Sequence, residues 1–571
     1  MALGMLLPRS VPRLAVRLAA SLVFAMTLTA PARAVESLPP GNAKYRAIKT
    51  IFDNIARAFG DGSIPPKLIV RPVTARGGMQ VAYYYPGTEG TLTADDQLEE
   101  SYIAIDEKVY DLLATLGSDR ENGLAVLLAH EMAHYYRQHG WVGEFGNAFA
   151  DTEMGKKMQK TASAEEVIKI ETEADYYGGF YGYLAGYNTL GLAPRVIDII
   201  YRAYDLPDKL DRYPSRAERK AIAARTEANL RRMCVIFDAG NRLLLLKKYE
   251  EAARLFDYIG RSFPSREIFN NAGVARAMAA LRLFDPHEVP FAYPFEFDAE
   301  TRLRGATVLT KGNSENTAEH RNALLRKAVE DFTRAIDRDG NYAAACVNLA
   351  AAYDLLGERA LAVQHANRGL ELAERHGEQV TAADALIVRG IAAARNNEKG
   401  SALADFTAAR KAAEVPADFN AAVVQDKARA FAKATGKEIV SAHEETIGTV
   451  SPDDARAMEP PDVNFSLRDA AGNQPPVKVS ARQQPDWEGM LIEIGNSRLR
   501  LLATPRHYRG ESGRGIRIGS SLADVIARYG EPTRVVSARQ GAYHVYGKNE
   551  IIFAIAPDKT VSGWLIYIET Y

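Results

Sequence analysis

The chain has 571 residues, far more than the ~150 of a typical domain, so several domains are expected. With 47% hydrophobic and 25% charged residues it cannot be a largely disordered chain. A formal net charge of −1 leaves no basic excess to neutralise phosphates, so no nucleic-acid partner is expected, and two cysteines (Cys234 and Cys346) are too few for a disulfide framework or a four-cysteine zinc site.

Residues 1–34 have the order of a secretory signal peptide. Arg9, Arg13 and Arg17 form a positive leader, Leu18 to Ala30 is apolar, and Ala32-Arg33-Ala34 is a small-x-small cleavage site. The apolar run holds 13 residues, short of the ~20 that span a bilayer. Cleavage after Ala34 would lower the basic count from 71 to 67 against 72 acidic residues, a net charge of −5. No later segment is apolar enough to span a membrane. The expected address is the periplasm, with secretion from another cell type as the alternative.

The chemistry lies in residues 35–228. Leu124, Leu127, Leu128, Met132 and Tyr135 recur at helical spacing and predict a buried amphipathic helix over 122–139. Within it, His130-Glu131-Met132-Ala133-His134 forms an HExxH motif. Histidines at i and i+4 share one helix face and can chelate one zinc ion, with the glutamate beside the metal-activated water. The metzincin pattern, which needs a Gly and a third His at fixed offsets, is excluded because Arg137 and Gly140 stand there. A second helical segment, 168–178, carries Glu171 and Asp175 four residues apart on one face. Glu171 can complete a His₂Glu site with one open position, and Asp175 can accept the spare ring N–H of a ligand histidine.

The stretch Glu171-Thr172-Glu173-Ala174-Asp175 after HExxH, together with His139, resembles peptidase family M-forty-eight. That gluzincin family includes the HtpX-type membrane proteases, the CAAX-prenyl proteases and the periplasmic β-barrel assembly-enhancing protease. The resemblance covers about residues 45–228 and implies an α+β zinc-protease domain. It assigns the third zinc ligand to Glu171 rather than Glu173, and the partner of the ligand histidine to Asp175. It also implies that Ser101 to Leu113 is the family's edge strand running into a helix, able to hold an extended peptide by backbone pairing. Many relatives have His-Pro followed by Arg near the domain's end. Pro214 and Arg219 match, but Tyr213 replaces the histidine. Its hydroxyl can stabilise an oxyanion, or the ring can simply pack on the helix end. The replacement argues against self-inhibiting metal coordination at that position. Glu131 is then the general base that takes a proton from water and returns it to the leaving amine.

Residues 229–436 turn Ala- and Leu-rich, and a 34-residue helix–turn–helix template fits them three times. Gly240, Tyr249, Ala252, Phe256 and Pro264 form one match. The second has Asn348, Leu349, Ala350, Tyr353, Gly357, Ala362, Leu370 and Leu372, and the third Gly390, Ala402, Phe406 and Ala409. A further repeat begins near Phe269, is interrupted from Asp285 to about Asn316, and resumes over Ala318 to Arg338. This resembles tetratricopeptide repeats, whose stacked helix pairs make a concave surface for peptides or protein partners. Cys234 and Cys346 are expected as buried apolar residues in different repeats.

Prolines at 452, 460, 461, 475, 476 and 485 predict an extended linker over 437–487. Residues 488–571 read as a small α+β module. It contains a hairpin turning at Gly495-Asn496, a helix capped by Ser520 or Ser521 and ended by Gly530, and strands at 541–546, 551–556 and 561–568. Gly515 to Pro532 is similar to outer-membrane lipoprotein assembly-factor modules. His507 and His544 lack metal-ligand spacing and are expected on the surface or in packing. The chain is thus expected to be an exported zinc endopeptidase acting on protein substrates, its repeats recruiting substrate or partner, with envelope protein quality control as a setting. The other class left open is a binding scaffold or chaperone-like adaptor with a weak protease domain.

Overall fold

The computed structural model describes residues 36–571 except 60–63, 74–80, 86–100, 138–163, 209–214, 286, 299–301, 307–314, 428–436, 441–444, 455–458, 470–471, 473, 506–507, 539–540 and 557. The leader, Tyr213, Pro214, His139 and His507 lie outside these. The chain divides into two compact units, with the change falling between Leu230 and Arg231, inside a helix.

In the first unit, helix α1 (Ala43–Phe59) buries Ile48, Ile51, Phe52, Ile55 and Phe59, a stripe at i, i+3, i+4, i+7 and i+11 that marks one helix face. Strands β1 (Lys67–Arg71), β2 (Ala82–Tyr85) and β3 (Tyr102–Asp106) form a sheet in the order β1-β3-β2. β3 runs parallel to β1 and antiparallel to β2. The segment expected as an edge strand is therefore central, and among the described residues β1 and β2 are the edges on either side of it. Ile103, Ala104 and Ile105 are fully buried, as a strand covered on both sides requires. Helix α2 (Glu107–Leu112) follows β3 directly, and a 3₁₀ turn with Gly117 at φ 64° redirects the chain into α3 (Arg120–Tyr136).

Helices α4 (Ala164–Leu184) and α5 (Ala193–Ala203) complete this unit with the start of α6 (Arg216–Leu245). α3 and α4 cross closely at Gly178. A β-carbon there would lie 2.6 Å from the Ala129 carbonyl oxygen and 2.8 Å from the His130 nitrogen, closer than such atoms pack. Only glycine allows this approach, and it is made at the residue that begins the HExxH motif.

The second unit contains α7 (Tyr249–Gly260), α8 (Arg266–Leu281), α9 (Glu315–Arg338), α10 (Ala343–Leu355), α11 (Arg359–Arg375), α12 (Gln379–Arg395), α13 (Lys399–Ala409) and α14 (Glu414–Val424). Each packs on the next. One device recurs in three pairs: the ring of Phe256 lies against Gly240, Phe332 against Gly273, and Phe406 against Gly390, each where a β-carbon would clash. All three phenylalanines are buried. Cys234 and Cys346 are buried in separate helices.

The remaining strands form one antiparallel sheet. They are β4 (Pro294–Asp298), β5 (Arg302–Ala306), β6 (Val463–Leu467), β7 (Val477–Gln483), β8 (Glu488–Ile494), β9 (Ser497–Ala503), β10 (Arg534–Ala538), β11 (Gly541–Tyr546), β12 (Ile551–Ile555) and β13 (Val561–Thr570). Their order is β4-β5-β10-β11-β12-β13-β9-β8-β7-β6. This differs from the sequence reading in two ways. The stretch expected as linker supplies β6 and β7, whose partner is β8. The interruption after α8 supplies β4 and β5, and β5 pairs with β10 from Val536↔Gly305 to Ala538↔Leu303. Helix α15 (Leu522–Tyr529) begins at Ser521 in a reciprocal capping box with Asp524, and its Val525 and Tyr529 pack into the sheet's core with Phe553 and Trp564. No helix among the described residues is long and apolar enough to cross a membrane.

Candidate metal centre

Helix periodicity places His130 and His134 one turn apart on α3, and their Nε2 atoms lie 3.1 Å from each other. Glu171, from α4, brings its carboxylate to the same point: Oε2 is 3.3 Å from His130 Nε2 and Oε1 is 3.8 Å from His134 Nε2. All three residues are buried, and one ligand atom from each falls within 4.8 Å of the others. A tetrahedral ion with bonds of about 2.0–2.1 Å to its ligands holds them about 3.3–3.4 Å apart, so these side chains fit a divalent metal without rearrangement. Glu173, two residues along α4, is not part of the cluster.

The second nitrogen of His130 is also engaged. Nδ1 lies 2.8 Å from Asp175 Oδ1, one turn along α4 from Glu171. This fixes the ring so that Nε2 is the nitrogen presented to the metal position. The structure thus brings His130, His134, Glu171 and Asp175 to one place.

Two contacts were not foreseen from sequence. Arg219, on α6, places Nη1 3.0 Å from Glu171 Oε2 and Nη2 3.6 Å from Asp175 Oδ1. In the sequence it is only the arginine five residues after Pro214, with no role attached. The second contact is the Tyr84 backbone N–H, on β2, which donates to Glu131 Oε2 at 3.0 Å. A backbone donor leaves no mark in residue identity, so no sequence signal could have revealed it.

The charges follow from this packing. Burial pushes the Glu131 carboxyl up to about 7, although positive charge at His130 and the Tyr84 N–H oppose the rise. Burial also disfavours a charge on His130, but hydrogen bonds to Asp175 and Glu171 outweigh it and raise the imidazole to about 10. For Glu171 burial acts upward, and the Arg219 guanidinium with both histidines overcomes it, holding the carboxyl well below the usual range. Glu171 is therefore an anion throughout the physiological range.

No protein-family model matches the chain, and no curated protein sequence matches it.

Proposed function

We propose that the protein is an exported zinc-dependent endopeptidase of gluzincin type, similar to peptidase family M-forty-eight. The observation that carries this reading is the convergence of His130, His134 and Glu171 on one buried point, with Glu131 on the same helix. Two nitrogens and one carboxylate form the donor set of hydrolytic zinc sites, which keep a position open for water or substrate. Zinc bound there supplies Lewis acidity, lowering the pKa of water and polarising a carbonyl.

The chain's own residues do the rest. Glu131, buried on the same helix as His130 and His134, is placed to accept a proton from water and hand it to the leaving amine. Asp175 holds His130 in orientation, and Arg219 keeps Glu171 ionised. Because β2 is the strand beside Glu131, an extended substrate is read along that strand, with backbone pairing setting its direction. Tyr213 is the proposed donor to the oxyanion.

Helices α6–α14, with their recurring Gly–Phe contacts, are read as a tetratricopeptide-like array that recruits protein partners. The sheet of β4–β13 is assigned a binding or structural role, and envelope protein quality control in the periplasm is the proposed setting.

Metal analysis together with casein cleavage, with and without a chelator, tests the proposal. Stoichiometric zinc and chelator-sensitive cleavage are expected. Zinc-free protein without chelator-sensitive cleavage would reject it in favour of the adaptor.

A further inference from the structure

Helices α8, α10, α12 and α14 touch one another in turn and form one layer of the array. The segment between α8 and β4 runs over this layer. Val289, Phe291, Ala292, Tyr293 and Phe295 are all buried, yet Val289–Tyr293 belong to no helix or strand. Strand β4, which follows, packs on α8, α10 and α12.

Two contacts hold the segment in a manner suited to a ligand. Asn420 of α14, itself fully buried, reads the backbone of Ala292 with both ends of its amide. Oδ1 accepts from the Ala292 N–H at 2.9 Å and Nδ2 donates to the Ala292 carbonyl at 2.9 Å. This contact is indifferent to the side chain at that position, because it satisfies only main-chain groups. The next residue is read by its side chain. The Tyr293 hydroxyl donates to Asp354 of α10 and accepts from Arg395 of α12 at 3.0 Å, and Arg395 also binds Asp354 Oδ2 at 2.9 Å. Three successive helices of the layer thus contribute one polar group each to two adjacent residues.

We infer that this face of the array is a peptide-recognition groove selective for a tyrosine, occupied by the chain's own residues 289–295. An intramolecular occupant acts at an effective concentration of about millimolar, so a free peptide competes poorly in the intact protein. Recruitment through this groove requires the segment to leave. The inference rests on the helical array alone, and a failed protease assay would leave it standing.

The test replaces residues 287–297 with Gly and Ser in the full chain and adds a labelled peptide of those residues. The replaced chain is expected to bind it one to one, with at least about 100-fold tighter binding than the intact chain, since no tethered competitor remains. Asn420→Ala in the same background, or Tyr-to-Ala in the peptide, is expected to weaken binding by about tenfold or more, the loss from leaving buried groups unpaired. A replaced chain that keeps its helical circular dichroism and binds no peptide overturns the inference. If the replaced chain does not fold, hydrogen exchange on the intact chain decides. A groove occupant opens by itself, with amides of 289–295 exchanging at least about tenfold faster than α10 and α12, and Asn420→Ala speeding only those amides. Exchange of segment and helices as one unit makes the segment ordinary core and overturns the inference.

Discussion

Arg219 Nη1 lies 3.0 Å from Glu171 Oε2, and both side chains are buried. The carboxylate of the cluster thus has its own counter-charge, supplied by a helix other than the two that carry the cluster. Arg219→Met leaves the buried Glu171 carboxylate and the half-buried Asp175 without that partner. Metal-free protein is expected to lose about 3–5 kcal/mol of stability in urea denaturation. Arg219→Lys should recover only part, because a single ammonium cannot fork across two carboxylates. A loss below about 1 kcal/mol in the Met variant would show that the pair has no such role.

Glu131→Gln keeps the size of the side chain and removes its ability to carry a proton. Metal content by mass spectrometry is expected to stay at the parent level while casein cleavage falls by about 10²–10⁴-fold. Parent-level cleavage by this variant would sink the assignment of Glu131 as base.

His134→Ala and Glu171→Gln each remove a ligand and are expected to abolish stoichiometric metal binding. Equilibrium dialysis against zinc measures it, with Glu173→Gln as the control that should bind normally, because Glu173 is outside the cluster. Loss of metal from the Glu173 variant alone would mean that the wrong glutamate is assigned.

Gly178 is where α4 meets the backbone of α3 at Ala129 and His130. Gly178→Ala pushes α3 and α4 apart and is expected to cost about 1–3 kcal/mol, with weaker metal affinity beside it. Gly400→Ala, in α13 with open space around it, should instead stabilise by about 0.4–1 kcal/mol. Thermal melts of both variants read the opposite signs, and unchanged metal affinity in Gly178→Ala would separate the crossing from the centre.

His544 of β11 is buried, and burial lowers its imidazole from 6.5 to about 4. The unfolded chain takes up its proton near 6.5 while the folded chain resists until about 4. Its contribution to stability is therefore full above 6.5 and is lost as pH falls through that interval, about 3 kcal/mol in all. His544→Phe should lose less stability than the parent between pH 7 and pH 4. Parallel pH profiles in urea denaturation would contradict this.

Local patterns carried much of the architecture. The helix expected over 122–139 is Arg120–Tyr136, the turn at Gly495-Asn496 separates β8 from β9, and Ser521 caps α15. Each depends on residues a few positions apart, where period, turn chemistry and capping act. The prolines were misleading. Pro475 and Pro476 stand just before β7 and Pro485 in the turn after it, so they bound strands instead of forming a linker. A residue without an N–H belongs at such ends.

The sequence by itself determined two local pairs of candidate ligands. Helical spacing puts His130 beside His134, and Glu171 beside Asp175, whatever else the chain does. Only the tertiary structure decided what surrounds them. β3 lies between β1 and β2, so the strand that meets Glu131 is β2, and Arg219 arrives from α6; separately, within the second unit, residues 292 and 293 are held by Asn420, Asp354 and Arg395. Those outcomes come from pairings between distant segments. Sheet order, buried counter-charge and the contacts of residues 292 and 293 are set by which surfaces meet after folding, and no short-range pattern encodes them.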